Sequence, residues 1–292
     1  MTTLTLRPLS GTIGAEIHGW DVARLPTPEI HAQIHRAVLD YKVIFFRDQP
    51  ELSTQAQIAF ARQFGEIETE FPSFADKPVP EITLFDGQFA NGRASIWHTD
   101  LTIADRPTAY GLLCVKRTPP RGGDTMWADT EAAFDALSPA MQRWLESQSA
   151  VHDMFSPQYA QRPGAFVVRG RDDIDFSRVS RATHPVVRVH PETGRKCIFV
   201  NPFFTSHIVG FSSAESASLL NFLYAHMQRP EFAVRWHWTE GEVALWDNRC
   251  TMHTAVDDYG NAARIAQRVC VRGDKPVGVA GLPVPEAEAM PA

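Results

Sequence analysis

Three stretches of the chain carry side chains that can act on one point in space. The first is Trp97-His98-Thr99-Asp100. On an extended strand, residues i and i+2 face the same side, so an imidazole and a carboxylate converge. Taken alone, this pattern reads as a His–Asp hydrogen bond at a strand end. The second stretch is Trp246-Asp-Asn-Arg-Cys-Thr-Met-His253, where a strand runs out through a polar turn toward another histidine. Strand ends that open into loops are where sites collect. His98, Asp100 and His253, with no cysteine partner, make the ligand set of a ferrous facial triad, in which three protein ligands leave three coordination positions open. Zinc accepts the same ligands, so ligand type alone leaves the metal undecided. In the third stretch Arg264 follows His253 by eleven residues, and Arg268 comes four later. The run from Ile265 to Val271 alternates as a strand, which puts Arg264, Ala266 and Arg268 on one face. If that face looks inward, the guanidiniums need carboxylates, and an anionic ligand supplies them. The alternative is pairing with surface acids such as Asp257 or Asp258.

The elements that must hold these residues are mostly strands. Runs at Lys42–Arg47, Glu81–Phe85, Ala109–Val115, Pro185–Val189, Lys196–Val200, Phe232–Trp238, Glu242–Trp246 and Ile265–Val271 are β-branched and aromatic. Leu4 to Ile17, broken by Gly11 and Gly14, reads as short strands. Pro191-Glu-Thr-Gly194 predicts a hairpin, and Glu240-Gly241 predicts a second. Helices are expected after Thr27-Pro28, with Ile30, Ile34 and Val38 inward, and after Ser53, with Ile58, Ala61 and Phe64 inward. Shorter ones are expected at Thr130–Leu137 and Pro139–Glu146. Ser212-x-x-Glu215 is a capping box ahead of Leu219, Leu220, Leu223 and Tyr224. Many strands without β-α-β alternation predict antiparallel sheets, a sandwich or barrel decorated by helices. The expected organisation is one domain over residues 1–276 and a flexible tail over 277–292.

Composition narrows the classes of function. The formal net charge of −6 leaves no basic footprint for nucleic acid. No apolar run approaches the roughly 18 residues that would cross a membrane. Met1-Thr-Thr-Leu-Thr-Leu has neither the basic nor the apolar part of a secretory signal. Cys114, Cys197, Cys250 and Cys270 are widely spaced and form no CxxC, which fits free thiols in a reducing compartment, so a cytoplasmic protein is expected.

His98-x-Asp100, then Thr125 after 24 intervening residues, His253 after 127 more and Arg264 after 10 more, resembles the taurine dioxygenase and phenoxyacetate-herbicide dioxygenase family. Supporting runs are Phe64-Gly65-Glu66, Pro120-Arg-Gly-Gly-Asp-Thr125, His184-Pro185-Val186-Val187, Val200-Asn201 and Trp246-Asp-Asn-Arg249. The resemblance extends from about Leu4 to Pro276. It implies a double-stranded β-helix, the cupin-like jelly roll, and a 2-oxoglutarate-dependent non-haem iron dioxygenase. In that family His98, Asp100 and His253 correspond to the Fe(II) ligands. Thr125 and Arg264 correspond to the groups that bind the distal carboxylate of 2-oxoglutarate. O2 is the second cosubstrate, succinate and CO2 are released, and a substrate C–H bond is hydroxylated. A homo-oligomer, dimeric or tetrameric, and a role in secondary metabolism or xenobiotic catabolism are also implied. Two other readings use the same residues. One is a non-catalytic jelly-roll binding protein. The other is a zinc hydrolase, which leaves Thr125 and Arg264 without a role.

Family members oxidise small organic anions, and Arg268 corresponds to the arginine that grips the anionic group. This chain departs from the taurine pattern: no histidine lies between His35 and His98, and the Asn expected just before Trp97 is replaced by Ala94, Ser95 or Ile96. That argues against taurine and for an apolar body bearing one carboxylate or sulfate ester. Phe71, Leu101, Phe155 and Phe204 are candidate pocket walls, with Phe74 beside them; each is equally suited to the core. Met154–Ser180 reads as an active-site lid or a plain surface loop.

Overall fold

Runs that are apolar without alternation become strands buried on both faces. The structure is a computed structural model and describes residues 4–69, 76–86, 94–153 and 181–279. In chain order its elements begin with β1 (Thr5–Pro8), β2 (Ala15–His18), α1 (Pro28–Tyr41), β3 (Val43–Phe46), α2 (Thr54–Ala61), β4 (Asp76–Val79) and β5 (Ile82–Asp86). Next come β6 (Thr108–Arg117), β7 (Thr125–Asp129), α3 (Thr130–Asp135), α4 (Pro139–Leu145), β8 (Ser149–His152), β9 (Ala182–Pro185), β10 (Val187–Val189) and β11 (Lys196–Ile198). The last are β12 (Thr205–Ile208), α5 (Ser213–Met227), β13 (Ala233–Trp236), β14 (Val243–Asp247), β15 (Thr251–Ala255), β16 (Ile265–Arg272) and β17 (Val277–Gly278).

The main sheet runs β1-β2-β3-β14-β6-β16-β5-β4 and is antiparallel except for the β2–β3 pair. Its central strands divide their side chains between two cores. Ile44, Phe46, Leu112, Cys114, Val243 and Leu245 pack outward under α1 and α2. Val43, Phe45, Leu113, Val115, Ala244 and Trp246 pack inward against Trp127 of β7 and Val234 and Trp236 of β13. Burial on both faces is why Lys42–Arg47 shows no polar alternation. The opposing layer is the sheet β13-β7-β15, with β12-β8-β9 and β11-β10-β17 continuing the second half of the molecule. α3, α4 and α5 close a further core there. The result is the jelly roll that the family resemblance implied.

The helices start where their caps stand. Thr27 accepts from the Ile30 amide, Ser53 from the Ala56 amide, and Ser212 and Glu215 form the full capping box. The Pro191–Gly194 hairpin joins β10 to β11. The second predicted hairpin is corrected. Glu240-Gly241 separates β13, which pairs with β7, from β14, which pairs with β3 and β6. The turn carries the chain between layers, because Trp236 must lie on Phe45 across the sandwich, stacked at 3.9 Å. The boundary at Pro276 also moves: Val277 and Gly278 still pair with Val189 and Arg188. The rest of the predicted tail from 280, the Met154–Ser180 segment, Phe71, Phe74 and Phe155 lie outside the described residues.

Candidate active site

The predicted strand through His98-x-Asp100 is not what brings those side chains together. His98 makes an isolated bridge with His253: each backbone N–H donates to the other's carbonyl, at 2.9 and 2.7 Å. The chain then leaves the sheet in a turn, with Leu101 in the left-handed region at φ 54°. Thr99 Oγ1 donates to the Thr251 carbonyl at 2.8 Å, and the Asp100 amide donates to Asn248 Oδ1 at 3.3 Å. The segment is thus stapled to β15 and to the turn that precedes it. This backbone stitching, rather than strand alternation, sets the ligand geometry.

His98 Nε2 lies 3.7 Å from Asp100 Oδ1, and His253 Nε2 lies 3.8 Å from Asp100 Oδ2. All three residues are buried. His98 Nδ1 donates to the Ile96 carbonyl at 2.7 Å, which leaves the Nε2 lone pair facing the carboxylate. Burial lowers the pKa of both histidines, so both favour the neutral form that binds metal. Burial alone would raise the Asp100 carboxyl, but its charged neighbours, led by the Arg268 guanidinium, hold it below the usual range. Asp100 Oδ2 is buried with no hydrogen-bond donor. A neutral cavity would leave that lone pair and two imidazole nitrogens unsatisfied, which is costly. A divalent cation at their common focus satisfies all three, so the residues fit the metal.

A second trio, His190, Asp247 and Cys250, also clusters within ligand distance. It does not need a metal. Asp247 already accepts from His190 Nε2 at 3.0 Å and from Arg249 Nε and Nη2 at 2.8 and 2.6 Å. The contrast is between a saturated carboxylate that organises the fold and an unsaturated one set beside two histidines that line a cavity.

That cavity measures about 420 Å³ including its open mouth. His98, His253, Thr125, Arg264 and Arg268 supply its polar lining, and Phe85, Ala94, Leu113, Trp127, Trp246 and Ala255 its apolar walls. Arg264 immediately precedes β16 and is buried; Nε donates to the Gly123 carbonyl at 2.8 Å and Nη2 to Thr125 Oγ1 at 3.2 Å. Among the described residues it has no salt bridge, and burial lowers its pKa. Thr125 Oγ1 also accepts from Trp238 Nε1 at 2.9 Å. With two donors already on that oxygen, the hydroxyl proton is left to be given to something else. Gly123, at φ 72°, permits this approach: a Cβ there would lie 2.8 Å from Pro119 Cγ and 3.1 Å from Arg264 Cδ.

Arg268 shares the inward face with Arg264 and Ala266. Its Nη1 donates to Asp100 Oδ1 at 2.5 Å, and its guanidinium lies 4.9 Å over the Phe85 ring. Neither Leu101 nor Phe204 is part of the cavity wall; Phe204 is buried against Phe203, which itself lies 5.6 Å from the His98 ring. The walls missed in the sequence are Phe85, Leu113 and Trp127. Phe85 sits opposite Ala266 and Leu113 opposite Arg268, so register applied to the arginine face would have found both. Trp238, which supports Thr125, carries no local signal.

The family model for the taurine catabolism dioxygenase TauD, TfdA family matches residues 5–270. The chain belongs to this family. A sulfate ester dioxygenase of Pseudomonas putida, dependent on alpha-ketoglutarate (2-oxoglutarate), is 39% identical over 95% of this chain and 92% of its own. An alkylsulfatase of Acinetobacter baylyi is 38% identical over 96% and 88%. The crystal structure of a taurine dioxygenase from Burkholderia xenovorans superposes with a TM-score of 0.82 at 36% identity, covering 96% of this chain and 92% of its own. As a TauD, TfdA family member the chain is a non-haem iron dioxygenase that uses Fe(II), 2-oxoglutarate and O2 and acts on a small organic anion.

Proposed function

We propose that this dioxygenase hydroxylates an apolar organic monoanion, and that an alkyl sulfate ester is its substrate class. The observation that carries the proposal is the charge inventory of one apolar-walled cavity. In the proposed assignment His98, Asp100 and His253 hold the iron, while Arg264 and the Thr125 hydroxyl take the distal carboxylate of 2-oxoglutarate. The iron and the Asp100 and Arg264 charges then balance the dianionic cosubstrate, and Arg268 remains as one positive charge for the substrate. Phe85, Leu113 and Trp127 offer hydrocarbon to the substrate's body. Among the described residues no second cation lines the substrate side to match a dianion, and no carboxylate there suits the ammonium of taurine. The two relatives named for sulfate esters support the same class.

Iron and 2-oxoglutarate together supply the oxidising chemistry, with succinate and CO2 as co-products. The chain's own groups orient and exclude. Arg268 fixes the anionic end, the aromatic walls place the adjacent carbon toward the histidines, and the apolar lining keeps water from that carbon. Hydroxylation of the carbon that bears the ester oxygen would give a hemiacetal sulfate. That species expels sulfate and leaves an aldehyde, so C–O cleavage follows without a hydrolytic residue. Four buried free cysteines support a cytoplasmic setting. A homo-oligomer belongs to the same proposal on the family resemblance. Among the described residues no helix is long and apolar enough to cross a membrane.

The test is a panel of hexyl sulfate, an aryloxyacetate and taurine, with succinate, sulfate and aldehyde measured together. Hexyl sulfate should stimulate succinate release with matching sulfate and aldehyde. Preferred turnover of taurine, or turnover of an uncharged alcohol equal to that of its sulfate, would refute the assignment.

A further inference from the structure

We infer that Arg268 is a bridge between the metal ligand Asp100 and the substrate's anionic group, so that metal and substrate strengthen each other's binding. The inference rests on the proposed anionic substrate. It begins with the unequal treatment of the two Asp100 oxygens. Oδ1 takes Arg268 Nη1 at 2.5 Å, whereas Oδ2 has no donor and faces His253 Nε2 at 3.8 Å. One oxygen is held from outside, and the other would be left free for a cation.

The guanidinium itself is held on several sides. Its Cζ lies 4.9 Å over the Phe85 ring, Nη1 is on Asp100, and its backbone sits in β16 between Thr83 of β5 and Leu113 of β6. Its Nε–H is buried without an acceptor. An unsatisfied N–H of a buried, charged group is a strong demand for an acceptor, and this side chain lines the cavity that would hold the substrate. A fixed guanidinium fork can serve two partners at once; a lysine ammonium on a flexible stem would not hold both in register.

The sign of the coupling follows from charge. Without a cation, Asp100 is the partner that satisfies Arg268. A divalent cation draws on the Asp100 charge, leaves Arg268 less neutralised, and so raises its demand for an anion. An anion on Arg268 in turn screens its repulsion toward the cation. The two effects are one free energy seen from both sites, and coupling of this kind typically amounts to about 5–150-fold in affinity. Arg268 is thus a positioning residue toward the metal as well as a contact for the substrate.

The experiment titrates Mn(II), which does not support turnover, into metal-free full-length protein by calorimetry, with 2-oxoglutarate present throughout and with or without hexyl sulfate. Hexyl sulfate should tighten Mn(II) about tenfold. Arg268→Gln should still bind Mn(II), and hexyl sulfate should change its affinity less than about twofold. Arg268→Lys, which keeps the charge, should retain only a small part of the coupling; it also covers the case in which the glutamine variant fails to fold. Hexyl sulfate binding to wild type with and without Mn(II) equally would overturn the bridge while leaving the anion site standing. Full coupling in either variant would overturn it as well. No binding of hexyl sulfate in any state, tested alongside an aryloxyacetate and taurine, would instead remove the substrate class on which the bridge depends.

Discussion

Arg264→Gln should separate binding from stability in opposite directions. Arg264 is 5% exposed and spends its hydrogen bonds on neutral acceptors, the Gly123 carbonyl and the Thr125 hydroxyl. Among the described residues no carboxylate forms a salt bridge with it, and burial works against its charge. In the free protein it is therefore a cost, as an uncompensated buried charge is. In the proposed complex that charge meets the distal carboxylate of 2-oxoglutarate. Removing one partner of such a buried pair costs ~3–5 kcal/mol. At 1.4 kcal/mol per decade this weakens the cosubstrate by about two to three and a half orders of magnitude. Glutamine keeps a donor for Gly123 and leaves no charge in the wall, so the free variant should melt at or above the wild-type temperature. An anaerobic titration of the ferrous protein with 2-oxoglutarate, read by its visible charge-transfer band, gives the affinity; thermal melts with and without metal and 2-oxoglutarate give the rest. The wild type should gain melting temperature from the pair and the variant should not. A variant that binds 2-oxoglutarate normally, or one that melts many degrees lower when free, would show that Arg264 is structural and that the carboxylate lies elsewhere.

Asp100→Ala should lose stoichiometric metal, measured on dialysed protein, and with it substrate-stimulated succinate formation. Gly123→Ala forces a side chain into the left-handed region, at ~1–2 kcal/mol, and drives its Cβ toward Pro119 and Arg264. It should lower the melting temperature and raise the KM for 2-oxoglutarate more than that of the substrate. Stability should also fall on mild acidification. Burial holds His184 neutral in the fold, with its pKa lowered to about 4, and His152 shifts the same way. The unfolded chain takes up these protons near the ordinary histidine value of about 6.5. Stability is therefore full above that value and is lost as pH falls toward 4, at up to ~1.4 kcal/mol per unit per histidine. Urea midpoints at pH 7 and pH 5 measure this; equal midpoints would show that the histidines charge without cost in the fold.

Much of the site is legible in one dimension because the chemistry needs scarce residue types in a fixed order. His98, Asp100, His253 and Arg264 stand out by residue type and position, Thr125 enters through the family resemblance, and the strand face of Arg264, Ala266 and Arg268 follows from period-two alternation. Helix starts were equally local, since a cap and the amide it serves are three residues apart. What the sequence could not determine depends on partners distant in the chain. Strands β7, β8, β12 and β15 were not anticipated, because their polar and histidine side chains suit a strand only once neighbouring layers satisfy them. The hairpin expected at Glu240-Gly241 became a crossing between layers for the same reason: a turn specifies a reversal, not which sheet receives the next strand. Phe204 and Phe85 look alike in sequence, and only register and packing put one in the core and the other under Arg268. Likewise a carboxylate has two equivalent oxygens until the fold surrounds it. Tertiary structure alone decided that Oδ1 of Asp100 meets a guanidinium while Oδ2 is left bare, because that difference is made by β16, a strand more than 160 residues away.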